Sequence, residues 1–284
     1  MSKIPWTELT WNPIVGCSKI SAGCQNCYAE KMASRLVSMG QVEYMPTIFT
    51  SKWTGKTAFV ESALRKPLHW KKPKMIFVCS MGDLFHESVP FKWIDKVYSV
   101  MLNCPQHTWQ VLTKRPERML EYYKTKTHVV KEADNIWLGV TAENQEMANE
   151  RIPILLQIPA AVRFVSCEPM LEPVDLTNVL FPTGFHENVL DTTVSDRAKK
   201  AGIDKLNGID WVIVGCESGS NRRICSLHWV ANIAYQCNAA GVPCFVKQIG
   251  QNGKLIKNPS GWPRGFPKAS EQILAGGEVI EVNE

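Results

Sequence analysis

Short, unbroken apolar runs recur along the 284-residue chain, and they limit its fold more than any other feature. After a first run near Trp11–Val15 come Met75–Cys79 (MIFVC), Trp109–Leu112 (WQVL) and Ile136–Val140 (IWLGV). Val162–Val165 (VRFV), Trp211–Val214 (WVIV) and Cys244–Val246 (CFV) complete the series. A strand with one wet face alternates polar and apolar side chains, so runs without alternation fit parallel strands covered on both faces. The segments between them have helical spacing. Pro90 opens one, with Phe91, Ile94, Val97, Tyr98 and Met101 in helical register. Met119, Leu120 and Tyr123 follow Pro116 in the same way. The stripe Leu227, Val230, Ala231, Ala234 stops at Gly241, a residue suited to a helix C-terminus. Alternating strand and helix predicts an α/β fold with a parallel sheet and right-handed crossovers, open or closed into a barrel.

Two stretches interrupt this rhythm. Residues 41–59 read as an insertion before the second strand, and residues 178–208 contain Pro182, Gly184 and the polar run DTTVSDRAKK. Both are expected to cover the C-terminal edge of the sheet, where lids sit. Residues 251–284, with GWPRGFP and an acidic end, read as an irregular C-terminal extension with a disordered end.

Chemistry is concentrated in Gly16–Glu30, GCSKISAGCQNCYAE. Cys17, Cys24 and Cys27 are spaced C-x6-C-x2-C, and thiols this dense are metal ligands or disulfide partners. A structural zinc site needs a fourth ligand, and the next candidates are His69 and Cys79. A disulfide with a spare thiol suits an exported protein, but the N-terminal MSKIPWTELTWNP has no apolar export segment. Three ligands without a local fourth suit an iron–sulfur cluster that leaves one iron open. Ten cysteines without export point to a reducing, cytoplasmic setting, and no run is long enough to span a membrane. The net charge of +5 permits an acidic partner such as nucleic acid without demanding one.

In parallel α/β folds, ligands lie outside the carboxyl ends of the strands. The exits here read SMGDLFH (Ser80–His86), TKRP (Thr113–Pro116), TAEN (Thr141–Asn144), SCEP (Ser166–Pro169), GCESG (Gly215–Gly219) and KQ (Lys247–Gln248). Glu168, Glu217 and Lys247 are candidates to bind substrate or move protons; the competing reading is a structural ion-pair network with Lys114 and Arg115. His86 is a candidate proton donor or a hydrogen-bonded wall residue. Cys79, Cys167 and Cys216 are further thiols or small buried side chains. Trp53, Trp70 and Trp262 offer stacking faces or core. The basic stretches Arg65–Lys74 and Lys124–Lys131 offer phosphate contacts or solvated surface.

A strand leading into a three-cysteine loop, then a strand ending in a Gly-acid pair, resembles the radical S-adenosylmethionine superfamily. More closely, TWNPIVGC, GCQNCYAE, CSMGDLFHE, LTKRPER, GVTAEN, SCEPML and GCESG are similar in order to an uncharacterised three-Cys-motif family of phages and prophages. The resemblance spans about residues 5–250. It implies a partial (β/α) barrel of about six parallel strands over residues 1–250, with residues 251–284 packed on it or trailing from it. It also implies a 4Fe-4S cluster on Cys17, Cys24 and Cys27, with S-adenosyl-L-methionine at the open iron. Gly82-Asp83 stands where the superfamily binds the methionine amino group. Lys114 or Arg115 would pair with the methionine carboxylate, Glu143, Asn144 and Ser166 would contact ribose and carboxylate, and Gly215 would approach the adenine. The family's chemistry would be reductive formation of a 5′-deoxyadenosyl radical, fed by an external electron donor such as flavodoxin. A nucleobase, as nucleotide, DNA or RNA, is the expected substrate. The alternatives are a small metabolite or peptide, or a metal-stabilised nucleic-acid-binding module without catalysis. The chain departs from the superfamily in its first cysteine gap, six residues instead of three, and in Asn26, where an aromatic usually precedes the last cysteine and Tyr28 instead follows it.

Overall fold

The computed structural model describes residues 4–126, 133–191, 208–251, 253–264, 266, 272–273 and 279–280. Seven strands form one parallel sheet: β1 (Leu9–Trp11), β2 (Met75–Val78), β3 (Thr108–Thr113), β4 (Ile136–Thr141), β5 (Val162–Cys167), β6 (Trp211–Gly215) and β7 (Cys244–Gln251). Each lies beside its predecessor, so spatial order equals chain order. An eighth strand, β8 (Lys254–Ile256), returns antiparallel along β7. The resemblance anticipated about six parallel strands, and the sheet has seven.

Right-handed crossovers that always step the same way put the helices following β2, β3, β4 and β6 on one face of the sheet. The helices are α1 (Tyr28–Ser38), α2 (Phe91–Leu102), α3 (Pro116–Lys124), α4 (Gln145–Leu155) and α5 (Leu227–Ala240). Ile94 and Val97 of α2, Met119 of α3, Ile152 of α4 and Ile233 of α5 share one core with Val78, Val111, Val140, Val165 and Val214 of the strands. The alternate strand residues, Phe77, Phe164, Trp211, Ile213 and Phe245, form a separate cluster around Trp6, to which no helix contributes. Both faces are therefore apolar, which is why the strands read as unbroken runs. The Trp6 ring lies 4.7 Å from Phe77 on β2 and 6.3 Å from Trp211 on β6, so this second face curves around it.

Local signals explain the helix ends. Pro116 is the first residue of α3, where its missing N–H costs nothing. Pro90 caps α2 from outside, and Gly241 ends α5 in the left-handed region at φ 69°. No helix among the described residues is long and apolar enough to cross a membrane.

Three expectations need correction. The first apolar run breaks at Asn12–Pro13: β1 ends at Trp11, and Ile14–Val15 instead pairs antiparallel with Ala58–Phe59. The inserted residues 41–59 thus flank the exit of β1. Of the excursion expected at residues 178–208, the described residues up to 191, with the segment leading in from β5, pack against α4 and α5. Leu176 N–H donates to Gln236 of α5 at 2.8 Å and Leu180 N–H to Asn149 of α4 at 3.0 Å, while Val174, Leu176, Val179 and Val189 join the main core. Residues 192–207 lie outside the described residues. The extension is not wholly irregular, because it opens with β8. The basic stretch Arg65–Lys74 precedes β2, at the opposite rim from the strand exits, with Lys74 paired to Glu8 at 2.5 Å.

Candidate metal and cofactor site

The loop that carries the three cysteines is tied to the exits of four different strands. It starts at Gly16, whose φ of +93° favours glycine, and which bridges to Gly82 beyond β2. A Cβ on Gly82 would stand 2.9 Å from the Gly16 carbonyl oxygen, so the two chains meet only without side chains. Next, Arg115, after β3, donates to Ser18 Oγ at 2.8 Å, to Ser18 O at 3.2 Å and to Cys17 Sγ at 3.7 Å. His86 holds the same serine hydroxyl at 2.8 Å. The backbone N–H of Ser88 donates to His86 Nδ1, so the ring's proton is on Nε2 and is given to Ser18.

Glu143, after β4, grips the middle of the loop. Its Oε1 accepts from Gly23 N–H at 3.1 Å and from the Ser21 hydroxyl, and its Oε2 accepts from Arg151 of α4 at 2.9 Å. Glu143 and Arg151 are both fully buried. Glu217, after β6, grips the far end: it accepts from Asn26 Nδ2 at 2.9 Å and from Arg223 Nε at 3.1 Å. Arg223 reaches on to the Ala22 carbonyl at 2.9 Å. Tyr28 then donates to the Ser80 carbonyl at 2.7 Å while the residue as a whole stays half exposed.

The electrostatics differ along the loop. Burial, reinforced by Asp83 and opposed by Arg115, pushes the Cys17 thiol up to about 12. At Cys24 burial also raises the thiol, but the Lys114 ammonium and backbone hydrogen bonds from Ile20 and Ser21 outweigh it and hold the group below its ordinary value. Burial likewise works against the Glu143 carboxylate, and Lys114 with Arg151 holds it low. All ten cysteines are free, and the three in the loop are half-buried where the seven others are buried. Among the described residues no three His, Cys, Asp or Glu side chains are gathered as one metal ion requires. What the loop offers is three separate thiols at the strand exits. A donor set of thiols alone fits iron–sulfur ligation better than a mixed oxygen and nitrogen site.

The other residues singled out from the sequence fall around this loop, with several of their polar atoms already engaged. Asp83 Oδ1 accepts from Thr113 at 2.8 Å and Phe85 N–H at 3.0 Å; its Oδ2 accepts from Arg115 at 3.0 Å. Asn144 caps α4, accepting from Met147 N–H at 2.9 Å. Ser166 is buried within β5, and Gly215 ends β6 with its carbonyl taken by Met170 N–H at 3.0 Å. A Cβ at Gly215 would stand 3.2 Å from that of Lys247. Lys247 is ion-paired with Glu168 across the exits of β5 and β7. Thus Glu143 and Glu217 clamp the loop, whereas Glu168 and Lys247 face each other.

Cys79, Cys167 and Cys216 are buried, and Trp53, Trp70 and Trp262 pack against core clusters. Part of Lys124–Lys131 lies outside the described residues. Ser18, Ser21, Asn26, Arg151 and Arg223 were not anticipated as site residues; Ser18, Ser21, Asn26 and Arg223 make contacts between distant parts of the chain, and Arg151 acts only through Glu143, eight positions before it. Beside the loop, a cavity of about 490 Å³ opens between Ile20 and the first turns of α3 and α4, lined by Lys114, Arg115, Arg118 and Arg151 with Glu87, Glu117, Glu121 and Glu150.

A family model described as "Protein of unknown function (DUF5131)" matches residues 1–276, and the chain belongs to that family. No curated protein and no solved structure matches it.

Proposed function

We propose that this DUF5131 chain is a radical S-adenosylmethionine enzyme that acts on a nucleobase. In this reading the seven parallel strands are a partial (β/α) barrel, and Cys17, Cys24 and Cys27 hold a 4Fe-4S cluster over its mouth. One observation carries the reading: a loop offering only thiols is fixed over the C-terminal strand ends by Arg115, Glu143 and Glu217. A structural metal site stabilises the fold around it and needs no such convergence at the place where α/β sheets bind ligands.

When bound, the cluster and S-adenosylmethionine would supply a carbon-centred radical able to take a hydrogen atom from unactivated C–H bonds. The protein's own task is position and exclusion of water. Arg115, fixed by Asp83, holds the Cys17 end of the loop; Glu143 and Glu217 hold the Cys24 and Cys27 end. Lys114 places positive charge beside Cys24, favouring the thiolate that a metal needs. The Glu168–Lys247 pair stands at the mouth as the group that would orient substrate or hold a proton, and Gly215 leaves room beside it.

The test is anaerobic reconstitution with iron and sulfide, then a reductant and S-adenosylmethionine. Iron–sulfur absorbance and 5′-deoxyadenosine are expected. A chain that retains zinc but takes up no iron would make it a binding module instead. Hydrogen transfer from isotopically labelled nucleic acid into 5′-deoxyadenosine separates a nucleobase substrate from a metabolite or peptide.

A further inference from the structure

We infer that the exposed face of α1, together with the hairpin Ile48–Trp53 beside it, binds single-stranded polynucleotide and leads it to the cysteine loop. The inference deepens the nucleobase reading by naming the form of the substrate, and to that extent rests on it. Three observations converge. First, among the described residues seven of the twelve exposed large apolar side chains lie between positions 20 and 49, including Tyr28, Met32 and Phe49, the last 73% exposed. Apolar surface gathered this way marks an interaction site. Second, on α1 the exposed residues Tyr28, Lys31, Met32 and Arg35 share one side of the helix, in a line that begins immediately after Cys27.

Third, the charge balance is one-sided. Residues 17–56 contain five cations, Lys19, Lys31, Arg35, Lys52 and Lys56, against two acids, Glu30 and Glu43. Glu30 is buried, with Lys19 at 2.7 Å and Lys52 at 3.9 Å, so the outer surface is left cationic. The hairpin is held along α1 by Ser34 Oγ to Ser51 Oγ at 3.0 Å and Trp53 N–H to Glu30 at 3.0 Å. Its tip residues Thr50 and Ser51 have φ of 46° and 62°, a left-handed turn made without glycine, and the turn holds Phe49 and Lys52 out at its shoulders. Aromatic faces alternating with cations suit stacked bases and their phosphates, since every base offers a π-face. A duplex keeps its bases stacked inward and cannot use Tyr28 and Phe49 in this way.

The test is fluorescence anisotropy of the full chain with labelled DNA and RNA oligonucleotides of about 16 nucleotides, single-stranded and duplex. Binding to a single strand of either sugar, weaker for duplex, is expected. The charge-reversed variant Lys31→Glu/Arg35→Glu/Lys52→Glu should flatten the salt dependence by roughly two units, at about 0.7 per lost phosphate contact. Phe49→Ala, at an exposed position, should weaken binding roughly tenfold. Lys71→Glu/Lys72→Glu, on the exposed basic stretch at the other rim, should change little. Equal loss in that control, equal affinity for duplex, or no oligonucleotide binding at low salt would overturn the inference, and the last would return the face to a protein partner. Binding is read without metal or cofactor, so its failure is distinct from failure of the cleavage assay.

Discussion

The backbone N–H of Gly23 donates to Glu143 Oε1 at 3.1 Å, and a Cβ on Gly23 would stand 2.8 Å from that same oxygen. The loop and the β4 exit are therefore fitted to each other as closely as backbone allows. Gly23→Ala should force one of them to move, costing about 1–3 kcal/mol of overpacking. Glu143→Ala should cost more, roughly 3–5 kcal/mol, because it leaves the buried Arg151 guanidinium without its carboxylate. Urea denaturation measures both. Unchanged stability in the two variants would mean that Glu143 does not hold the loop.

His86 makes the same region sensitive to mild acid. Burial, then Arg115, lowers its affinity for a proton below the ordinary value of 6.5. The folded chain thus keeps the ring neutral while the unfolded chain takes up a proton below 6.5, and stability falls as the pH drops through that region. Glu143 and Glu217 act at lower pH. Their carboxyls are held below the usual 4.5, burial being outweighed by Lys114 and Arg151 in the first and by Arg223 and Asn26 in the second. Their contribution is complete above 4.5 and lost below it. Denaturation curves between about pH 7 and 5 should show the first loss, and His86→Gln should flatten it. An unaltered pH slope in that variant would exclude His86 as the source.

The cysteines divide by position. Cys24→Ala should abolish iron uptake on anaerobic reconstitution, whereas Cys104→Ala, at a buried thiol under the sheet, should leave iron content unchanged and cost only packing. Iron and sulfide analysis per chain decides it. Full iron loading in Cys24→Ala would remove that residue from the ligand set.

The mouth pair offers a sharper division. Glu168→Gln and Lys247→Met should leave iron content intact, since the two side chains pair with each other and not with the clamp of the cysteine loop, yet should lower turnover of the substrate at least tenfold. Loss of iron in either variant would place the pair in the support of the loop instead.

The strands were legible because burial on both faces removes alternation, and the register of β2 to β7 follows the apolar runs. The first strand was misplaced because Pro13 sits inside an apolar run and ends the parallel ladder. The packing of the β5–β6 connection was not legible, because its described part enters the core through Val174, Leu176 and Val179 without a regular period. In the site, residue type identified the thiols and the strand-exit acids, but not their assignments. Glu143 and Ser21 are 122 positions apart, and only folding shows that this carboxylate is turned to the loop while Glu168 is turned to Lys247.

Trp6 provides the test of curvature in the sheet. In a flat sheet a side chain before β1 can touch β2, but β6 lies four strands further on, at roughly 4.8 Å per strand. The ring nevertheless contacts both Phe77 and Trp211. Trp6→Ala should therefore cost about 3–5 kcal/mol, as for other buried aromatics. The decisive measurement is a pair of double-mutant cycles, Trp6 with Phe77 and Trp6 with Trp211. Coupling of about 0.5–1.5 kcal/mol in both is expected for ring pairs in contact. Coupling to Phe77 alone would mean that the sheet is open and that the mouth, with its clamped thiols, is not enclosed.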